Sequence, residues 1–94
     1  NIQKANYALE KLSRIKGIKR RFKGSIFNEF VLEFSKSFSK IEKSLRKKGI
    51  IPGLSLEEFY PELSNCLLVC VTEMHGKEDI DRLAESLDEV LRGR

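Results

Sequence analysis

Cys66, Cys70 and His75 stand close together in the chain and are its side chains best suited to metal or nucleophilic chemistry. A zinc site built on these three would need a fourth ligand from elsewhere, and no metal is expected. On a strand rising about 3.3 Å per residue the two cysteines lie roughly 13 Å apart, beyond disulfide reach. They read as small buried hydrophobes kept as reduced thiols in a cytosol. His75 falls at a strand-to-helix turn, where an exposed loop histidine without a catalytic partner is the plain reading. Thr72 and Glu73 leave the end of the preceding strand, a frequent place for ligand-facing polar groups, although a satisfied strand end and a solvated carboxylate explain them as well. Asn28 interrupts an apolar strand face, and burying its amide unpaired would cost on the order of 1–3 kcal/mol. A backbone carbonyl or a water is its expected partner, ahead of a substrate. No catalytic set assembles, so the candidate pocket or interface residues are Asn28, Thr72 and Glu73, joined by Phe27 and Val31.

The elements that would position these residues follow from periodicity. Ile2, Ala5, Leu9 and Leu12, with Ala8 beside them, recur at helical spacing, and Gly17 is placed to end that helix as a left-handed cap. Ile18 to Phe22 alternates apolar and basic, Lys23-Gly24-Ser25 turns, and 26–34 alternates again, which predicts an antiparallel hairpin. In its second strand Ile26, Asn28, Phe30, Leu32 and Phe34 share one face, expected to be core. Phe27, Glu29, Val31 and Glu33 share the other, where two large apolar groups between carboxylates suggest half of an interface. Ser37 is placed to cap a second helix carrying Phe38, Ile41 and Leu45, which Gly49 would terminate. Ile50-Ile51 reads as an optional fourth short strand, and the segment from Pro52 to Pro61 as an ordered loop long enough to be functional. The apolar run from Cys66 to Val71 predicts a central strand covered on both faces. The last helix, from about Lys77 to Leu91, buries Ile80, Leu83, Ala84, Leu87, Val90 and Leu91, with Glu78, Asp79 and Asp81 at its positive end and Arg92 and Arg94 at its negative end. The expected fold is α+β: a two-layer sandwich, with a small, mainly antiparallel sheet and helices on one face.

Ninety-four residues make one domain. With 40% hydrophobic and 34% charged residues the chain is neither a disordered tail nor a membrane protein, since no apolar run approaches the roughly 20 residues of a spanning helix. It opens on Asn1 without a methionine and without a basic-then-apolar leader, as a fragment or a processed chain would. The net charge of +4 and the cluster Lys16, Lys19, Arg20, Arg21 and Lys23 around Phe22 raise a nucleic-acid reading. A solvated edge strand, its charges discouraging edge-to-edge pairing, accounts for the cluster more simply.

Several segments in order carry a family resemblance: Lys4-Ala5-Asn6-Tyr7, Phe27-Asn28-Glu29-Phe30-Val31-Leu32-Glu33, Lys48-Gly49-Ile50-Ile51, Tyr60-Pro61-Glu62-Leu63, Val69-Cys70-Val71-Thr72-Glu73 and Glu78-Asp79-Ile80-Asp81. Together they resemble the C-terminal end of subunit 1 of the glycine cleavage system P protein, glycine dehydrogenase (decarboxylating), a pyridoxal-phosphate fold-type I family. Pro52 stands where the family tends to repeat Gly, and Gly76 where a capping Thr is usual; the second change weakens a cap by only about a few tenths of a kcal/mol. The resemblance implies one half of a split, heterotetrameric, cytoplasmic glycine decarboxylase working with the H and T proteins and a lipoamide dehydrogenase. Glycine is decarboxylated with pyridoxal phosphate as electron sink, and the aminomethyl group passes to the lipoyl arm of the H protein. It also implies that the cofactor-bearing lysine belongs to the partner, P protein subunit 2, and the cofactor-binding part to a large domain. Residues 1–94 would then be a non-catalytic C-terminal small domain with no catalytic or cofactor-binding residue of its own. The readings of a different class are a free-standing protein-interaction module and, behind it, a basic nucleic-acid-binding domain.

Overall fold

The period-two alternation through Glu29, Phe30, Val31, Leu32, Glu33 and Phe34 commits this segment to a strand with one apolar face, and it forms β2 (Glu29–Phe34). The computed structural model describes residues 2–22, 29–57, 59–71 and 76–93. Strand β2 runs antiparallel to β1 (Ile18–Arg20), Ile18 facing Phe34, and to β4 (Cys66–Cys70), where Phe30 faces Val69 and Leu32 faces Leu67. The two-residue β3 (Leu54–Ser55) pairs antiparallel with the far side of β4, giving the order β1-β2-β4-β3. As expected, β4 is an interior strand. The turn of the predicted hairpin, Lys23-Gly24-Ser25, lies outside the described residues.

Phe30, Leu32 and Phe34 look to the same side as Ile18, Leu67 and Val69, and three helices bury that side. From α1 (Ile2–Ser13) come Ala5, Ala8, Leu9 and Leu12; from α2 (Phe38–Lys47) Phe38, Ile41 and Leu45; from α3 (Lys77–Leu91) Ile80, Leu83, Ala84, Leu87 and Leu91. Helix α3 packs against both α1 and α2, and the Phe34 and Phe38 rings meet at 5.0 Å between centroids in a tilted pair. This is the two-layer α+β sandwich that the sequence predicts. Val90, expected in the core, is only half-buried.

The chain punctuation departs from expectation at four places. Gly17 has positive φ but lies in the turn into β1, beyond the end of α1. Ser37 precedes α2 yet makes no capping bond; its hydroxyl is 3.0 Å from that of Ser39 instead. Gly49 is the cap it was expected to be: at φ +77° it lets its own N–H reach the Arg46 carbonyl and the Ile50 N–H reach the Leu45 carbonyl, a complete Schellman motif. Having spent its N–H there, Ile50 does not start a strand, and the fourth strand forms at Leu54–Ser55 instead of Ile50-Ile51. Gly53 permits this, because its missing side chain lets the backbone close onto the carbonyl of Leu68. The loop expected up to Pro61 therefore contains β3 and runs into a 3-10 turn, Pro61–Leu63.

Candidate interface on the outer face of the sheet

Because the helices occupy one side of the sheet, every second strand residue faces away from them. Across β2, β4 and β3 these outer residues fall into register: Val31 is opposite Leu68, and Leu68 is opposite Leu54. Val31 and Leu68 are half-buried and Leu54 is 49% exposed, whereas Leu32 and Leu67, one residue away on the same strands, are both 0% exposed. Phe59 and Tyr60, which follow β3, are 59% and 52% exposed. Cysteines 66 and 70 lie on this outer side too, opposite Glu33 and Glu29. The expectation of two buried thiols is met by Cys66 alone, beside which the buried Leu56 bonds to the strand; Cys70, on the same helix-free side, is half-buried. Burial raises the Cys66 thiol pKa and the neighbouring Glu33 carboxylate raises it further, so Cys66 is a poor nucleophile.

The β1 end of the same face is charged. Lys19 Nζ and Arg21 Nε approach Glu33 Oε1 at 3.7 and 4.0 Å, the Arg21 guanidinium lies 4.9 Å from the Phe22 ring centre, and Arg20 Nε donates to the Phe22 carbonyl at 2.7 Å. Of the four described cations in the basic cluster, Lys19, Arg20 and Arg21 are thus engaged by neighbouring groups of the strand pair and its flank.

Among the sequence candidates, Val31 is the one the structure describes; Phe27, Asn28, Thr72 and Glu73, with His75, lie outside the described residues. Residues missed in the sequence reading are Leu54 and Leu68, whose position beside Val31 depends on strand register, and the pair Tyr7 and Asp81. The Tyr7 hydroxyl donates to Asp81 Oδ1, and Lys11 Nζ is 3.3 Å from the same oxygen. The Lys77 and Lys11 ammoniums sit 5.2 and 5.9 Å from the Tyr7 ring centre. These contacts shift all three acidities: the Tyr7 hydrogen bond and then Lys11 hold Asp81 below the usual carboxylate range, while Asp81 raises both Tyr7 and Lys11. The cluster clasps α1 to α3. Its signal in the sequence was that Tyr7 and Asp81 each close one of the segments that carry the family resemblance.

A lysine that carries pyridoxal phosphate must give up its proton readily, which burial ordinarily arranges. None of the described lysines is buried, and Lys11 is shifted upward, the opposite direction. The described residues do not fit a lysine-bound cofactor. Nor, among them, does any cluster of three metal-ligating side chains form. No described helix is long and apolar enough to cross a membrane.

No family model matches the sequence. Among curated proteins, the chain is 46% identical over 90 residues to a probable glycine dehydrogenase (decarboxylating) subunit 1 of Desulfitobacterium hafniense, covering 96% of this chain and 20% of that protein. The protein of the same description from Anoxybacillus flavithermus is 47% identical over 87 residues, covering 93% of this chain and 19% of the relative. Among solved structures, a glycine decarboxylase (P-protein) of the glycine cleavage system superposes with a TM-score of 0.80 at 27% identity, over 95% of this chain and 20% of that one. The L-threonine-O-3-phosphate decarboxylase of Porphyromonas gingivalis shares the fold alone, with a TM-score of 0.69 at 11% identity over 92% of this chain and 24% of the other. The resemblance read from the sequence is borne out, and the chain spans about a fifth of the length of the curated relatives it matches.

Proposed function

We propose that this chain is the C-terminal small domain of a subunit of the glycine-decarboxylating P protein, built to support and dock rather than to react. The observation that carries the reading is the similarity over nearly the whole chain to glycine dehydrogenase subunit 1, joined to the superposition on a P-protein structure. In the assembled enzyme, a cytoplasmic heterotetramer, glycine is the substrate and pyridoxal phosphate supplies the electron sink for loss of its carboxylate. The cofactor is held outside residues 1–94, in keeping with the poor fit of the described lysines. P protein subunit 2 and the lipoyl H protein are the partners. What this chain supplies is a rigid layer: the helices hold the sheet, and the sheet presents Val31 and its neighbours to the rest of the enzyme.

The test is glycine-dependent CO2 release by a polypeptide of the relatives' length carrying this segment, mixed with its partner subunit, pyridoxal phosphate and lipoylated H protein. Release is expected from that mixture and none from residues 1–94 alone, which should also give no saturable absorbance band with the cofactor. An assembled mixture that leaves glycine untouched defeats the assignment. A saturable band fixed by borohydride to one lysine of this chain would move the cofactor inside it.

A further inference from the structure

We infer that the outward ridge of α2, formed by Lys40, Lys43 and Lys47, is an electrostatic docking surface for an acidic flank of the lipoyl H protein. Residues 36–48 hold six cations against the single carboxylate of Glu42, so this segment carries more positive charge than the net +4 of the whole chain. Phe38, Ile41 and Leu45 take the buried side of α2. At about 100° of rotation per residue, Lys40, Lys43 and Lys47 fall together on the opposite side, and all three are exposed. They have no side-chain partner among the described residues, whereas other exposed cations are matched four residues away: Arg14 with Glu10, Arg46 with Glu42 and Arg92 with Asp88. The ridge works against its own helix. Like charges three and four residues apart repel, and Lys40 stands in the first turn, at the positive end of the dipole, where α2 has no acidic residue to offset it. Charges kept against local stability point to a role outside the fold.

The occupant is chosen by charge and by how long it must stay. A ridge of unpaired lysines is complemented by carboxylates, and no large apolar residue of α2 is exposed, so the surface offers charge without apolar area to bury. Charge of this kind speeds and orients an encounter more than it prolongs it. Of the proposed partners, subunit 2 stays assembled, while the H protein arrives, takes the aminomethyl group and leaves in every turnover. The ridge also lies on the helical layer, turned away from the sheet, and so remains open when the outer face of the sheet is covered. The identity of the partner rests on the proposed function.

The test follows glycine-dependent CO2 release by the assembled full-length enzyme as lipoylated H protein is titrated at low and at high salt. The native enzyme is compared with one carrying Lys40→Glu, Lys43→Glu and Lys47→Glu together. At low salt the KM for H protein should rise about ten-fold or more in the variant, with turnover at saturating H protein and with free lipoamide as acceptor both kept. The native KM should climb with salt and the variant's should not, because screening removes only an attraction that is present. Lys40→Arg, Lys43→Arg and Lys47→Arg together should restore the native values. If the reversed helix does not fold, Lys40→Gln, Lys43→Gln and Lys47→Gln replace it. An unmoved KM overturns the inference, and so does an equal loss with H protein and free lipoamide, which makes the ridge structural. Loss of assembly with subunit 2 overturns it in favour of that subunit. Binding to heparin or to anionic vesicles that the reversal abolishes, with KM unmoved, overturns it in favour of a polyanion or a membrane. A native assembly that releases no CO2 defeats the functional reading and this inference with it, whereas CO2 release with an unmoved KM defeats this inference alone.

Discussion

The two faces of the sheet are built from the same strands, one residue out of step, and they have different fates. On the inner side Leu32 and Leu67 are matched against each other and lose all contact with solvent beneath the helices. On the outer side Val31 and Leu68 are matched in the same way, with side chains as apolar, and are only half-buried. At these two matched pairs the chemistry of the residues does not distinguish the faces; the presence of a second layer does. The worth of an apolar side chain is set by the area it removes from water, so one strand carries both the strongest and the most dispensable contacts of this domain. The inner face makes the fold, and the outer face is available for something beyond it.

The difference is sharpest in paired truncations. Leu32→Ala should destabilise the isolated chain by about 2–5 kcal/mol, the range for emptying a closed core position, while Leu68→Ala should stay within about 1 kcal/mol. Denaturant unfolding of the two variants measures both, and equal losses would mean that the outer face is part of this domain's own core. Next in size is Gly53→Ala. At φ +159° and against the Leu68 carbonyl there is no room for a methyl group, so β3 must detach or the backbone must strain by on the order of 1–3 kcal/mol. Hydrogen exchange at Leu56, whose N–H is 3.1 Å from the Cys66 carbonyl oxygen, should rise in that variant and report the lost pairing directly.

A smaller effect belongs to the clasp between α1 and α3. Asp81 is depressed by Tyr7 and Lys11, so its contribution to stability is complete above the ordinary aspartate pKa of about 3.9 and disappears as pH falls through its lower folded value. Tyr7 and Lys11 are raised, so theirs is complete below their ordinary values of about 10 and 10.4 and is lost as pH climbs through the folded ones. Asp81→Asn should therefore be less stable than the native chain at neutral pH and converge with it toward both extremes. Melting curves across pH test this, and a constant gap at every pH would remove the ionic account of the clasp. The slightest perturbation is chemical labelling of the native 94-residue chain: Cys70 should react ahead of Cys66, which should need unfolding. Two equally slow thiols would show the outer face already covered.

Much of this architecture is legible in the sequence alone. Helical spacing located the three helices, alternation separated Phe30, Leu32 and Phe34 from Val31 and Glu33, and the doubly apolar run at Cys66 to Val71 marked an interior strand, because those patterns are imposed by the local geometry of helix and strand. Gly49 was readable for the same reason, as a left-handed position one residue past a helix. The short strand at Leu54–Ser55 was not, since it exists only where Gly53 lets the chain approach Leu68 from a distant part of the sequence. Nor were the stripe of Val31, Leu68 and Leu54 or the Tyr7 to Asp81 bond, each made by residues far apart in sequence. Cys66 and Cys70 show the limit most plainly: alike in type, strand and face, they differ in burial because accessibility is a property of what lies over a side chain, and local sequence carries no record of that.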